Sequence, residues 1–326
     1  MKKFIYFLTL LVLIAGCAGN QEKKVLKLAH GLDVSHPVHK GMENLAERLA
    51  EKSEGKLTIK IYPSGQLGNE RECLELLQIG ALAMTKVSSG VLENFVPDFK
   101  VLGLPYLFQN KDHLFGVLNG PIGQELLAKG QDYRFRGLCF YDAGYRSFYT
   151  KERPIYEPKD LEGLKIRVMK SVTAVNMVDQ LGGSPTPVSF GELYTALQQG
   201  VVDGAENNPP SFYSSRHYEV CKYYTLDEHT ALPDVLLVSL DWWKSLTDQE
   251  QSWLKEAAME SVGFQMKVWE ESEQHSLEEV QKAGVEIIRP DKSTFSNQVG
   301  PLYEAYKDQP EQYKLIQRIK DYAAKN

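Results

Sequence analysis

Apolar and polar positions repeat along this chain with two different periods, and each change of period marks an element. Two-residue alternation is plainest in KLTIKIY (56–62), where Leu57, Ile59 and Ile61 alternate with polar or charged neighbours and predict a strand with one wetter face. KVLKLAH (24–30), ALAMTKVSS, RFRGLCFYDAG, SFYTK and TLDEHTALPDVLLVSL also read as strands or extended segments. Helical spacing appears between them. Met42, Leu45, Ala46 and Leu49 form a stripe between Pro37 and Glu51 that stops before Gly55, Asn69 caps a helix ending at Gly80, and Pro121 opens another that ends at Gly130.

The stretch from Leu161 to Asn208 reads as strand, helix, strand, helix, strand, with KIRVM, SPTPV and VVDGA as the strands. Ser171 caps a helix that runs out at Gly182 and Gly183. Ser189 and Glu192 form an S-x-x-E capping box that opens a second helix ending at Gly200. Strand alternation places Ile166 and Val168 on one face of KIRVM and Arg167 and Met169 on the other, so a guanidinium is held on a strand. Thr247 and Glu250 form a further capping box, and only Gly263 interrupts the helical pattern before Gly284. Some 35 residues at 1.5 Å each span about 50 Å, longer than one lobe needs. Gln265, Ser272, Gln274 and Ser276 break any sustained apolar seam, which argues against a coiled-coil dimer and for a monomer.

At 326 residues the chain exceeds the usual limit of one core, so two lobes are expected. A formal net charge of −6 and the lack of a basic stripe argue against nucleic acid as a partner. MKKFIYFLTLLVLIAGC carries Lys2 and Lys3, then an apolar run from Phe4 to Ile14 too short to span a membrane, which reads as a secretory signal. Its I-A-G-C ending resembles a lipoprotein box. That implies cleavage before Cys17, a lipid on Cys17 and a tether over Ala18 to Lys24, with an ordinary signal cut nearby as the alternative. Cys73, Cys139 and Cys221 match neither a disulfide framework nor a zinc site, and read as buried apolar residues. No nucleophile elbow, phosphate loop or metal quartet is present, so neither a cofactor nor an enzyme activity is expected.

LKIRVM, followed by ALQQGVVDGAENN, resembles the signature of the DctP-type solute-binding proteins of tripartite ATP-independent periplasmic (TRAP) transporters, and the likeness runs from about Leu28 to the C-terminal helices. It implies an α/β, two-lobed periplasmic-binding-protein fold with a long lobe-spanning helix. Lobe I is expected over 25–144 plus 233–272 and lobe II over 145–232 plus 273–326, with the last residues, Tyr313 to Tyr322, closing on lobe II. The same resemblance implies an extracytoplasmic location, TRAP membrane permease subunits as partners, and a ligand carboxylate bound by Arg167 and oriented by Asn207. A planar guanidinium suits both oxygens of a carboxylate in a way lysine does not. Arg146, in YDAGYRSFYTK, is the second cation the family pattern places near the acid group.

Other positions carry two readings each. Asn207 precedes N-P-P and also suits a turn; Phe190 stacks on a sugar face or joins the core; Glu70 matches, with Ser88, columns that the sialic-acid branch uses for hydroxyls or amines, or is a solvated carboxylate at a helix start. His30, His36 and His39 cluster without a zinc spacing, and His36 is expected to hydrogen-bond a ligand hydroxyl. His229, before ALPD, falls in the family's cleft region or is a satisfied core histidine. Glu70 would repel a second carboxylate, which favours a sugar acid such as a uronate or aldonate over a C4-dicarboxylate. AHGLDVSHPVHKG and YDAGYRSFYTKERPI resemble the sugar-acid branch. Sialic acid, an exported enzyme with Glu206 or Asp203 as base, and input to a sensor rather than a transporter stay as alternatives.

Overall fold

The structure is a computed structural model and describes residues 23–323. Its strands, in chain order, are β1 (Lys24–Ala29), β2 (Leu57–Tyr62), β3 (Met84–Ser88), β4 (Phe135–Tyr141), β5 (Tyr145–Thr150), β6 (Lys165–Val168), β7 (Ser184–Pro187), β8 (Gly204–Asn207), β9 (Tyr223–Ala231), β10 (Asp234–Ser239) and β11 (Glu286–Ile288). They form two sheets, of order β2-β1-β3-β10-β4 and β11-β9-β5-β8-β6-β7. Within the first sheet β1 is parallel to β2 and β3; within the second, β6 is parallel to β7 and β8. Each sheet is clothed on both faces by apolar clusters, as parallel strands require.

Consecutive strands change sheet at β4 to β5 and at β9 to β10 through short turns, and at β10 to β11 through the helix Asp248–Lys282. Gly144, at φ +57°, makes the first turn, and a side chain there would meet the Trp269 ring at 2.9 Å. The helix Asp248–Lys282 carries the predicted capping box, with Thr247 Oγ1 accepting from Glu250 N and the Glu250 carboxylate accepting from Thr247 N. Its N-terminal half lies against the helix Pro37–Lys52, where Ala257, Ala258 and Ser261 keep the contact close and Gly41 leaves room for Gln265. Its C-terminal end delivers Val280 to the core of the second sheet, so this helix bridges both lobes.

Gln265, fully buried on that helix, accepts from Asp142 N and donates to Asp142 O, both at 2.8 Å. An amide used this way satisfies the backbone at the point where the chain leaves β4, and ties the crossing to the long helix.

Three expectations need correction. Ser189 makes no side-chain cap; residues 190–192 form a 3-10 turn, and the helix begins at Leu193 and ends at Gln198. The third strand of the βα stretch is 204–207 rather than VVDGA, because Gly200 and the turn after it extend past Val202. The closing helix Pro310–Ala323 packs on lobe I instead of lobe II: Leu315, Ile316 and Ile319 join the cluster holding Leu114, Phe115 and Leu118, and His113 Nε2 donates to Ile319 O at 2.8 Å. An apolar stripe seeks a complementary surface, and nothing in its own pattern specifies which one.

Gln265→Ala is expected to lower the unfolding free energy by about 2–4 kcal/mol, since it leaves a buried N–H and C=O unsatisfied and opens a void. Equilibrium denaturation measures this, and a loss under about 0.5 kcal/mol would contradict the role given to the clamp.

Candidate functional site

A cavity of about 390 Å³ lies between the sheets, within the range of small-molecule sites. The carboxyl ends of parallel strands from both sheets meet there: Gly31 follows β1, Ser64 and Gly65 follow β2, Ser88 ends β3, Arg167 and Met169 mark the end of β6, Val188 follows β7 and Asn207 ends β8. Helix caps add to the wall, since His36, Asn69, Ser88 and Asn208 all precede helices and all line the cavity.

Arg167 is 2% exposed. Its Nε donates to Val188 O at 2.8 Å, and its guanidinium lies 6.0 Å from the Phe190 ring centroid. That hydrogen bond is the side chain's only one among the described residues, and it forms no ion pair there. Burial pushes its pKa down from the ordinary value, the mark of a desolvated cation short of a counter-ion. Strand alternation delivers this arrangement as the sequence implies, with Ile166 and Val168 in the core beneath.

Arg146 differs. Its Nε pairs with Glu206 Oε2, its Nη2 donates to Glu206 Oε1 at 2.9 Å and to Glu206 O at 2.8 Å, and its Nη1 donates to Asn207 Oδ1 at 2.8 Å. It lines the cavity, but its charge is already matched. Burial would raise Glu206, yet Arg146 and His229 outweigh it and hold the carboxyl at about 2. Arg146 also fixes the Asn207 amide: with Oδ1 taken by Arg146 and by Asn208 N at 2.9 Å, the Nδ2 is left to donate into the cavity. The turn role falls to Asn208, whose Oδ1 caps the helix Pro209–Ser214 by accepting from Ser211 N at 2.8 Å.

His36 caps the helix Pro37–Lys52 by accepting from Val38 N at its Nδ1, which leaves Nε2 to donate to Ser211 Oγ at 3.1 Å across the cleft. Burial, with Lys86 and His39 adding to it, pushes its pKa to about 3, so the ring stays neutral. Ser88 Oγ accepts from Gly90 N at 3.3 Å and reaches Met169 Sδ at 3.6 Å; this also joins the two walls. Phe190 lines the cavity while packing against lobe I core residues, so stacking and core readings both apply to it.

His229 lies outside the cavity, a correction to the cleft reading. It is fully buried, with Nδ1 2.8 Å from Asp227 Oδ2 and Nε2 3.6 Å from Glu206 Oε2. Burial acts to lower its pKa, but Asp227 and Glu206 prevail and raise it to about 9. It touches the site only through Glu206.

Glu70 stands at the cavity wall and pairs with Lys86 at 3.0 Å, and Lys86 lies 3.2 Å from Asp234. Lys86, Asp234 and Ser211 line the cavity without having been singled out from sequence. The signal for Lys86 was available: a lysine at the centre of the apolar strand ALAMTKVSS needs a buried partner. Among the described residues no group of His, Cys, Asp and Glu is placed to hold a metal, and no helix is long and apolar enough to cross a membrane. Cys73, Cys139 and Cys221 are free and buried, and burial pushes the Cys73 thiol up to about 11 and Cys221 to about 12. Cys17 lies outside the described residues.

Two α/β lobes that enclose a cation-bearing cavity between the ends of their strands are the architecture of a solute-binding protein. The chain belongs to the bacterial extracellular solute-binding protein family 7, the DctP family, which matches residues 28–309. The uncharacterized protein YiiZ of Salmonella typhimurium is 40% identical over 99% of this chain and 98% of its own length. A TRAP periplasmic solute binding protein from Xanthobacter autotrophicus, solved with bound β-D-galacturonate, superposes with a TM-score of 0.88 at 41% identity, covering 91% of this chain and 99% of the other. One from Anaerococcus prevotii with bound D-glucuronate gives 0.90 at 35% identity, covering 93% and 99%. These structural neighbours are binding proteins, and the family is extracytoplasmic.

His229 holds its proton more firmly when folded, at about 9, than at its ordinary 6.5. A raised pKa of this kind contributes stability that is complete below the unfolded value and lost as pH climbs through the folded one. Between pH 6.5 and 9 the wild-type unfolding free energy is therefore expected to fall more steeply than that of His229→Gln. Parallel curves in denaturant titrations over that window would exclude the assignment.

Proposed function

We propose that this protein captures a sugar acid, a hexuronate such as galacturonate or glucuronate, or a related aldonate, and hands it to the membrane permease of a TRAP transporter. One observation carries the reading: the Arg167 guanidinium, buried in the interlobe cavity with no carboxylate beside it, is a cation prepared for an incoming anion. The Asn207 Nδ2 donates to the same carboxylate or to an adjacent hydroxyl, and the half-buried Phe190 ring offers an apolar face to a sugar. Arg146, neutralised by Glu206, serves to orient Asn207 rather than to bind an anion itself. Glu70 and Ser88 stand on the opposite wall to take hydroxyls, and His36 braces the cleft through Ser211.

The bound galacturonate and glucuronate of the Xanthobacter and Anaerococcus proteins support this ligand class, as does the D-erythronate bound to a Polaromonas protein 31% identical to this chain. The protein acts by binding and release, not by turnover, as a monomer. A lipid on Cys17 anchors it at the outer side of the membrane, with the following residues as a tether.

Thermal denaturation with a panel of organic acids tests the ligand class. A true ligand at a hundred times its Kd adds about 2.7 kcal/mol, a clear upward shift. Arg167→Ala is expected to weaken uronate binding by about 2–5 kcal/mol, with Arg167→Lys nearly as weak because an ammonium cannot present the paired fork. Calorimetric titration reads both, and wild-type affinity in either variant would sink the carboxylate assignment. For the anchor, Cys17→Ser is expected to move the protein from the membrane to the soluble extracytoplasmic fraction; unchanged fractionation would refute it.

A further inference from the structure

A second set of cross-lobe bonds lies away from the ligand cavity. Glu93 follows the short helix Ser89–Leu92 that continues from β3 of the first sheet, and it is 1% exposed. Its side chain reaches into the other lobe, to the turn that leads from β6 into the helix Val172–Gln180. Glu93 Oε1 accepts from Ser171 Oγ at 2.9 Å and from Thr173 N at 3.0 Å, and Oε2 accepts from Thr173 Oγ1 at 2.8 Å. The next residue, Asn94, donates from Nδ2 to Lys170 O at 2.6 Å. A helix start leaves backbone donors without partners, and here the lobes divide them: Ser171 Oγ accepts from Ala174 N at 3.0 Å, while Thr173 N turns to Glu93. Negative charge at that end of a helix is favourable as well. Gly103 brings the first lobe's backbone against the same place, since a side chain there would meet Thr173 Cγ2 at 3.1 Å. None of Glu93, Ser171 and Thr173 lines the ligand cavity. Burial pushes the Glu93 carboxyl up from its ordinary value, against the hydrogen bonds from Thr173 and Ser171, so these bonds replace hydration without a large surplus. A contact balanced in this way forms and breaks with lobe movement.

We propose that Glu93 is a closure latch: a positioning residue that takes the free donors at the start of the helix Val172–Gln180 when the lobes meet, and so keeps Arg167 over a bound anion without touching the ligand. Arg167, on β6, and Ser171 and Thr173 belong to one strand–turn–helix unit, so a movement that carries the guanidinium to the ligand carries Thr173 N to Glu93. The inference rests on the sugar-acid reading for its ligand and goes beyond it in naming what keeps the cleft shut. With the lobes apart, water serves these donors. With the lobes together and the Glu93 carboxylate removed, Thr173 N and Thr173 Oγ1 are buried without an acceptor, which disfavours the closed form.

The test measures galacturonate binding to the full protein by calorimetric titration and its release by stopped-flow fluorescence, with melting curves taken without ligand. Trp269, edge-on to the cavity residue His36, supplies the fluorescence signal. Glu93→Ala is expected to weaken binding about tenfold, with the loss in a faster release rate, because closure then buries two donors without an acceptor. Glu93→Gln, whose amide accepts from Thr173 N and donates to Thr173 Oγ1, is expected to stay within about threefold of the wild type. Thr173→Val removes one of the donors, and is expected to weaken binding less in the Glu93→Ala background than alone. Without ligand, Glu93→Ala is expected to melt as the wild type does, since the open protein does not make the contact. Wild-type affinity and release in Glu93→Ala overturn the latch, most plainly if its ligand-free melting temperature falls, the mark of a permanent structural contact. Absence of galacturonate binding in the wild type itself removes the sugar-acid reading and the latch with it, whereas binding that the Glu93 variants leave unchanged removes the latch alone.

Discussion

A guanidinium withdrawn from water without a counter-ion is unfavourable, and the cleft of this protein is built around one. Arg167 sits on a strand whose other face is core, so its direction follows from the pleat and cannot relax outward without unpacking Ile166 and Val168. Val188 O accepts from its Nε, the Phe190 ring lies beside it, and the residue lines the cavity. In the proposed function, the free energy forgone by leaving that charge unpaired is recovered when an anion arrives, which is how affinity is stored in a preformed site.

The neighbouring arginine shows what satisfaction looks like in the same environment. Arg146 is also buried at the cavity, and four hydrogen bonds to Glu206 and Asn207 match its fork. Glu206 in turn lies beside His229, which Asp227 holds protonated. This chain of alternating charges has a positional effect: through Arg146 it engages the Asn207 Oδ1, which also accepts from Asn208 N. Two arginines of similar burial thus stand in unlike surroundings, and the difference lies in whether a carboxylate stands beside them.

Placing this site between lobes couples it to motion. The walls belong to different sheets, and contacts such as His36 to Ser211 and Ser88 to Met169 join them across the cavity. The crossings that permit hinge movement are short, and the Asp142 crossing is tied by Gln265 to a helix that spans both lobes. Rigid anchorage at the hinge and adjustable contact at the rim suit a protein whose task is to enclose a ligand and release it. The walls differ in charge pairing too, with the unpaired Arg167 on one and the Glu70–Lys86–Asp234 cluster on the other.

Local chemistry was legible in the residues themselves. Capping at Asn69, Ser171 and Thr247, the 35-residue helix, and the side of β6 on which Arg167 emerges all follow from periodicity and hydrogen-bonding capacity within a few residues, and the structure bears them out. The resemblance carried by LKIRVM and the D-G-A-E-N-N segment pointed to the family that the whole chain matches. What tertiary structure alone decided were the meetings of distant residues. Arg146 and Glu206 are 60 positions apart, Lys86 and Asp234 farther still, and no periodicity within either segment reports that their strands pair with each other. The same holds for the closing helix, whose stripe of Leu315, Ile316 and Ile319 promises burial without naming the surface, because the hydrophobic effect is proportional to area and indifferent to address.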